Sequence, residues 1–335
     1  MKIKCMIPIN LNLMGETEES FILENLISFK GLHCSFKLIT EEITKFEPSS
    51  SDLKVNYYSR CKKLEIQIEE HQSTRYKLTE IANPDKQKEL VKLISILANK
   101  FINATRYYGL ATHMHEIDIS RHKPEYYLAI WNVESSIDEV IWNNVIPVES
   151  RLFSLFNQTT NSNLENSLVT SLWSDIANAI ENERVPPPEL EFTINALEHI
   201  ELKNYRYAVL ESVIGLEIVL TRFVNEYMST RLKLPKEQIE TFLNPSFGLS
   251  SRISGLLDLT IKSKDLKKID MSKVKQVIKW RNHIVHKTGH LPEGIPHNIL
   301  NDNLSSVLKL NFLLGSKTEV VKAAPETLII GSTLV

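Results

Sequence analysis

Between residues 275 and 290 the sequence runs KQVIKWRNHIVHKTGH, and three of its side chains, Arg281, Asn282 and His286, can act together on a phosphate. Val274, Val277, Ile278, Ile284 and Val285 form an apolar stripe at helical spacing. At about 100° per residue, Arg281 falls in the middle of that stripe. A guanidinium left buried and unpaired is costly, so Arg281 must either meet a carboxylate or face a cleft that receives an anion. Asn282 stands about 100° round the helix and His286 about 140°. One side therefore presents a permanent cation, an amide and a titratable imidazole. Such a set suits RNA cleavage without a metal, because the ribose 2′-OH attacks its own 3′-phosphate and the enzyme supplies no nucleophile. Histidine exchanges a proton near neutral pH, and acid–base assistance of this kind gives about 10²–10⁴-fold. Arginine holds the extra negative charge of the transition state through two parallel hydrogen bonds, and Asn282 can orient the phosphate or the imidazole. One copy offers one histidine, whereas the reaction wants an acid and a base. Two chains meeting along this helix supply both.

Four further residues are candidates around this set. Glu217 lies among the apolar Val213, Ile214 and Leu220, so its carboxylate can hold Arg281, either setting it for catalysis or neutralising it in a structural ion pair. Lys279 and Lys287 flank the motif as RNA contacts, and His283 lies inside it as a supporting residue. Trp280 and Phe223 read as core or dimer-seam residues rather than base-stacking platforms. No glycine-rich phosphate loop, GxSxG elbow or HExxH helix occurs elsewhere. His113 and His115 share one face of an expected strand but have no further ligand at metal spacing. His286 and His290 are four apart where Gly289 and Leu291-Pro292 end the helix. No metal and no cofactor are expected.

The elements that carry these residues change character along the chain. The first half is mixed: strand character at 3–13, 33–40, 53–59 and 64–68, then a helix capped by Asn83-Pro84-Asp85 with apolar positions from Leu90 to Ile102. Two more strands are expected at 109–120 and 125–131, and a second helix at 164–182. Val185-Pro186-Pro187-Pro188 cannot be helical and marks a domain boundary. Beyond it nearly everything has helical period, with helices expected at 190–200, 204–230, 235–243, 248–259, 271–286 and 299–314. The fold class is thus an α+β domain over 1–184, a sheet or sandwich carrying one long helix, followed by an all-α bundle over 189–316 and a tail, 317–335, of no assignable role.

Composition narrows the partners. The 335 residues carry 39 Lys or Arg against 41 Asp or Glu, a net charge of −2, which by itself points away from nucleic acid. The charge is uneven, however. Residues 231–290 hold 13 Lys or Arg and 5 Asp or Glu, a net +8, which leaves −10 for the rest. The basic segment is the one containing Arg281 and His286. No apolar run approaches the roughly 18 residues of a membrane helix, and the strict alternation Ile3, Cys5, Ile7, Ile9, Leu11, Leu13 reads as a strand rather than a signal peptide. Cys5, Cys34 and Cys61 are odd in number and lack CxxC spacing, which suits a reducing compartment. A soluble, cytoplasmic protein is expected.

At Arg281-Asn282-His283-Ile284-Val285-His286 the sequence resembles the HEPN family, short all-α domains whose signature is arginine, a polar residue, three more positions and histidine. The helix that runs through Tyr205-Arg206-Tyr207 to Gly215-Leu216-Glu217 also looks like the family's first major helix, and the resemblance covers roughly residues 190–315. It implies an all-α HEPN bundle that dimerises, with paired arginines and histidines forming a composite, metal-independent endonuclease site. Many members act as toxins or in abortive infection and other antiviral defence. Carried over by position, Arg281 and His286 are the catalytic pair and Asn282 the polar helper. A toxin subgroup has a tyrosine two residues after the histidine where a partner modifies it; Thr288 stands there, so that regulation is not carried over. The expectation is a homodimeric ribonuclease whose N-terminal domain senses a trigger or binds a regulatory protein. The alternative is a non-catalytic RNA-binding or dimerisation module with a partner-binding N-terminal domain. A third reading puts the enzyme in the N-terminal domain, where no catalytic cluster supports it.

Overall fold

Ile3, Cys5 and Ile7 lie on one face of β1 (Lys2–Gly15), and all three are buried, as alternation demands. The computed structural model describes residues 2–29, 31–45, 57–69, 83–120, 122–136, 143–144, 167–243, 248–257, 261, 266–267, 269–318, 329–330 and 333–334. Two compact units divide the chain, Met1–Val185 and Pro186–Val335, with the break at the start of the proline run.

The first unit is built on a largely antiparallel sheet. Its further strands are β2 (Glu24–Phe29), β3 (Leu32–Thr40), β4 (Thr44–Lys45), β5 (Tyr57–Glu69), β6 (Glu134–Ser136), β7 (Asn143–Asn144) and β8 (Ser167–Val169). The order is β2-β3-β5-β1-β6-β7, with β4 added to β5 and β8 running parallel to β1. The β1–β5 ladder runs from Lys2 opposite Glu69 to Gly15 opposite Tyr57 and shifts register between Pro8 and Leu11. Pro8 has no N–H to give the ladder, so a central strand tolerates it only at such an irregularity. Helix α1 (Pro84–Tyr108) starts at Asn83, whose Oδ1 accepts the Asp85 N–H at 2.9 Å. Its face of Leu90, Leu93, Ile94, Leu97 and Phe101 is buried in the same core as Phe36, Leu64, Ile66 and Ile68 of the sheet. The Phe101 ring stacks on Phe36 at 6.2 Å and lies tilted against Trp173 at 6.1 Å. The three thiols are free and buried, and burial pushes Cys34 and Cys61 up to about 12 and Cys5 higher still, so none is a ready nucleophile.

Three expectations for this unit are corrected. Residues 109–120 are not a strand, because side chains of α1 take the place of a neighbouring strand. Asn99 accepts the Ile117 N–H at 2.8 Å and donates to the Ile117 carbonyl at 3.2 Å, and Arg106 donates to the Thr112 and Met114 carbonyls. His113 and His115 therefore do not share a strand face. Residues expected as a strand at 125–131 form helix α2 (Pro124–Ile130): Pro124 is preset for the first helical position, and Tyr127, Leu128 and Ala129 are buried consecutively, which alternation forbids. The helix expected over 164–182 is shorter. It is α3 (Trp173–Glu181), entered from β8 through the tight turn Thr170–Leu172, and residues 164–166 lie outside those described. Of the strand expected over 53–59, residues 57–59 belong to β5 and the others lie outside those described.

The second unit is helical among its described residues, apart from one short strand pair. It comprises α4 (Pro188–Glu201), α5 (Tyr205–Thr230), α6 (Lys236–Phe242), α7 (Leu249–Arg252, continued by the wide turn Ile253–Leu257), α8 (Met271–His283, continued by the wide turn Ile284–Thr288) and α9 (His297–Lys317). Helix α5 packs against α4 and α9, and α8 packs against α9 and α5. Gly215 lets α5 approach its neighbours: a Cβ there would stand 3.1 Å from Thr193 Oγ1 and 3.2 Å from Asn311 Nδ2. Asn311, buried on α9, donates to Thr193 Oγ1 at 3.2 Å and to the Ser212 carbonyl at 3.1 Å, linking the three helices. In the tail, β9 (Ile329–Ile330) pairs antiparallel with β10 (Thr333–Leu334). Among the described residues no helix is long and apolar enough to cross a membrane.

Candidate functional site

Helix α8 presents the motif, and its ends are fixed by local chemistry. At its N-terminus Asp270 accepts the backbone N–H of Ser272 at 2.9 Å and of Lys273 at 3.3 Å. Lys273 reaches across to Asp302 of α9 at 2.6 Å. The hydroxyl of Ser272, with help from the two backbone N–H groups and the Lys273 charge, holds the Asp270 carboxyl below the usual carboxylate range. A carboxyl depressed in the folded state adds stability above its unfolded value, and that stability is lost as pH falls through the folded value. Asp270→Ala is therefore expected to lower the melting temperature at neutral pH, with the gap closing in strong acid, whereas Asp270→Asn keeps most of the cap. Thermal melts of the three proteins across pH check this.

Val274, Val277, Ile278, Trp280 and Ile284 anchor α8 in the core. Val285, expected in that stripe, is 50% exposed, because the helix does not stay regular to its end. Residues 284–288 form a π turn, closed by the Gly289 N–H on the Ile284 carbonyl at 3.0 Å, and Gly289 leaves at φ 72°. The wider turn brings Val285, His286 and Lys287 to the surface. A π turn that interrupts an α-helix often marks a functional position.

On one side of α8 lies a cleft of about 1140 Å³ walled by α5, α6, α7 and α8. Arg281, Asn282, His286 and Glu217 all line it, so the structure brings four of the sequence-derived residues together. Arg281 is not buried and unpaired. Its Nη2 stands 3.7 Å from Glu217 Oε2, with the two side chains 24% and 34% exposed, and its Nη1 donates to Asn282 Oδ1 at 3.2 Å. Both alternatives posed by the sequence are thus realised at once: the guanidinium meets a carboxylate and faces an open cleft. Solvent reaches the pair, so it contributes little to stability. His286 is exposed at the rim and accepts and donates no hydrogen bond among the described residues. Trp280 and Phe223 are buried.

Lys279, Lys287 and His283 are not on this cleft. With Gln276, Trp280, Pro292 and Ile295 they line a second, shallower one of about 700 Å³ on the other flank of α8, and Asn282 and His286 line both. The motif sequence missed the other cations of the first cleft: Arg222, Lys236 and Arg252. Arg222 is committed to the buried carboxylate of Glu189 on α4. A signal for this wall was present in α5, where Glu217, Thr221 and Asn225 recur every four residues as a polar line along one face of the helix. Among the described residues no group of three or more His, Cys, Asp or Glu side chains could hold a metal ion. No protein-family model matches this chain, and no curated protein or solved structure shows significant similarity to it.

Proposed function

We propose that the protein is a metal-independent RNA endonuclease of HEPN type. The observation that carries this reading is the convergence of Arg281, Asn282 and His286 on one open cleft, at the point where α8 widens. In this reaction Arg281 grips the non-bridging oxygens of the scissile phosphate and holds the charge that builds on them. Asn282, already bonded to Arg281 Nη1, fixes the plane of the guanidinium. His286 takes the proton from the 2′-OH. That oxygen attacks phosphorus, the bond to the 5′-oxygen breaks, and an acid protonates the leaving alkoxide. The products are a 2′,3′-cyclic phosphate and a 5′-hydroxyl. The imidazole at the cleft rim is free to reach substrate, and a second copy of the chain, meeting this one along α8, supplies the complementary histidine. The helical unit is then the effector, and the first unit senses a trigger or a regulatory protein in antiviral defence or toxin action. Three free, buried cysteines fit a cytoplasmic setting.

Two substrates test the chemistry. An oligoribonucleotide is expected to be cut, and the same oligonucleotide with 2′-deoxy residues throughout is expected to survive. Equal cutting of both would rule out attack by the 2′-OH.

The Glu217–Arg281 contact favours a second reading, a module that binds RNA or dimerises without cutting, because a neutralised arginine is less available to a phosphate. Glu217→Gln separates the two. Removing the carboxylate strengthens RNA binding by up to about fivefold, the equivalent of about 1 kcal/mol for an exposed pair. In a nuclease it also changes the cleavage rate, since Glu217 then sets the guanidinium. In a binding module no cleavage appears in either protein.

A further inference from the structure

The second cleft, on the far flank of α8, carries a row of side chains that the nuclease chemistry does not use. Lys279, His283 and Lys287 follow one another at intervals of four residues: Lys287 stands on the π turn that continues the regular helix, and Lys279 and His283 are about 6 Å apart along the axis of that helix. That is the order of the separation between neighbouring phosphates in an extended polynucleotide. Among the described residues no Asp or Glu lines this cleft, whereas Glu217 and Glu240 stand among the cations of the first. Among the described residues neither Lys279 nor Lys287 forms an ion pair, although Lys273 on the same helix is held by Asp302. Two exposed lysines that no described carboxylate neutralises, on a concave surface, make a site for an anion. The opposite wall, from Pro292 and Ile295, is apolar and half-buried, suited to the face of a ribose or base. A second copy docked here about a two-fold axis would set the cationic row against itself, which like-charge repulsion opposes. An anionic strand is the better occupant.

Asn282 and His286 are shared by both clefts, so a strand held at Arg281 in the first can pass over α8 at His286 and continue into the second. We infer that the second cleft is a subsite for single-stranded RNA, with Lys279, His283 and Lys287 receiving consecutive phosphates on one side of the scissile bond. This rests on the nuclease reading for the position of the scissile phosphate. Its substrate is unpaired, because the chain must bend round one helix and its 2′-oxygen must come into line with the leaving oxygen. An A-form duplex holds its backbone away from that geometry, and its major groove is closed to side chains.

Binding of a short, unstructured, fully 2′-O-methylated RNA, which cannot undergo 2′-OH attack, tests the subsite apart from the chemistry. The full-length protein would be titrated over a range of salt, with ordinary RNA offered for cleavage in parallel. Lys279→Gln/Lys287→Gln is expected to bind on the order of tenfold more weakly near physiological salt, with the slope of log K against log salt reduced by about 1.4, twice the single-strand value per phosphate contact. Lys279→Arg/Lys287→Arg is expected to retain the slope. Lys37→Gln/Lys92→Gln, which removes the same charge from exposed positions of the first unit, is expected to match the wild type. Unchanged affinity and slope in Lys279→Gln/Lys287→Gln would overturn the subsite, as would an equal loss in the control or a wild type that does not bind. A wild type that cuts RNA while Lys279→Gln/Lys287→Gln binds normally sinks the subsite alone. One that binds with the expected slope but never cuts sinks the nuclease reading and leaves the subsite standing.

Discussion

His286→Ala is expected to lower the rate of RNA cleavage by about 10²–10⁴-fold, the usual contribution of a positioned acid or base. Stability and RNA affinity are expected to stay close to those of the wild type. The reason lies in the surroundings of His286. Its side chain is exposed and holds no hydrogen bond among the described residues, so its removal orphans no buried group. Surface changes of this kind stay within about 0.5 kcal/mol. Because the imidazole acts as the proton moves, kcat and kcat/KM fall together. In a dimer that draws one histidine from each chain, this single substitution removes acid and base at once, so the loss lies toward the upper end of the range. Arg281→Ala behaves differently. It releases Glu217 and Asn282 and leaves a carboxylate facing the phosphate, so both binding and cleavage fall. Lysine does not restore Arg281, since an ammonium lacks the two-pronged fit to a phosphate.

Phe101→Ala carries the largest expected effect on stability, about 3–5 kcal/mol, the usual cost of removing a buried phenyl ring. Phe101 is fully buried in α1, stacked on Phe36 of β3 and against Trp173 at the start of α3, so no single neighbour can close the gap. A loss of that size is a large part of the 5–15 kcal/mol typical of a domain. Chain division into Met1–Val185 and Pro186–Val335 makes the expected denaturation curve informative. Urea unfolding followed by circular dichroism should show an early transition from the sheet unit, while the helical signal of the second unit survives to higher urea. A single transition shifted as a whole would mean that the two units unfold together.

Local periodicity made a good part of the fold legible. Ile3, Cys5 and Ile7 announce β1; Leu90 to Ile102 announce α1; and the prolines at 186–188 fall where the two units divide. Readings failed where a polar side chain outside the segment decides the local outcome. Residues 109–120 alternate like a strand, yet Asn99 and Arg106 bind their backbone from α1, and hydrophobic periodicity carries no sign of such polar side-chain partners. The strand expected at 125–131 is a helix instead, and its start signals, Pro124 and the acidic Glu125 of the first turn, are weak in so short an element. The site divides in the same way. Arg281 and Glu217 were legible because a charge among apolar neighbours must find a partner, and Asn282 because it stands beside Arg281 in the motif. The π turn at 284–288 was not, since it depends on Gly289 adopting positive φ and on how Ile284 packs. It is this turn that exposes Val285. The net charge of −2 hid two surfaces: a carboxylate-bearing cleft around Arg281 and one around Lys279 and Lys287 that no described carboxylate lines.

The most direct measurement of the central claim is an incubation of labelled RNA with purified protein in excess EDTA, beside Arg281→Ala and His286→Ala, with the chemistry of the new ends determined. Cleavage by the wild type alone, leaving 2′,3′-cyclic phosphate and 5′-hydroxyl ends, is the result expected of an arginine–histidine site that needs no metal. Cleavage that persists undiminished in His286→Ala, or RNA left intact by a wild type that binds it as tightly as both variants do, would contradict it.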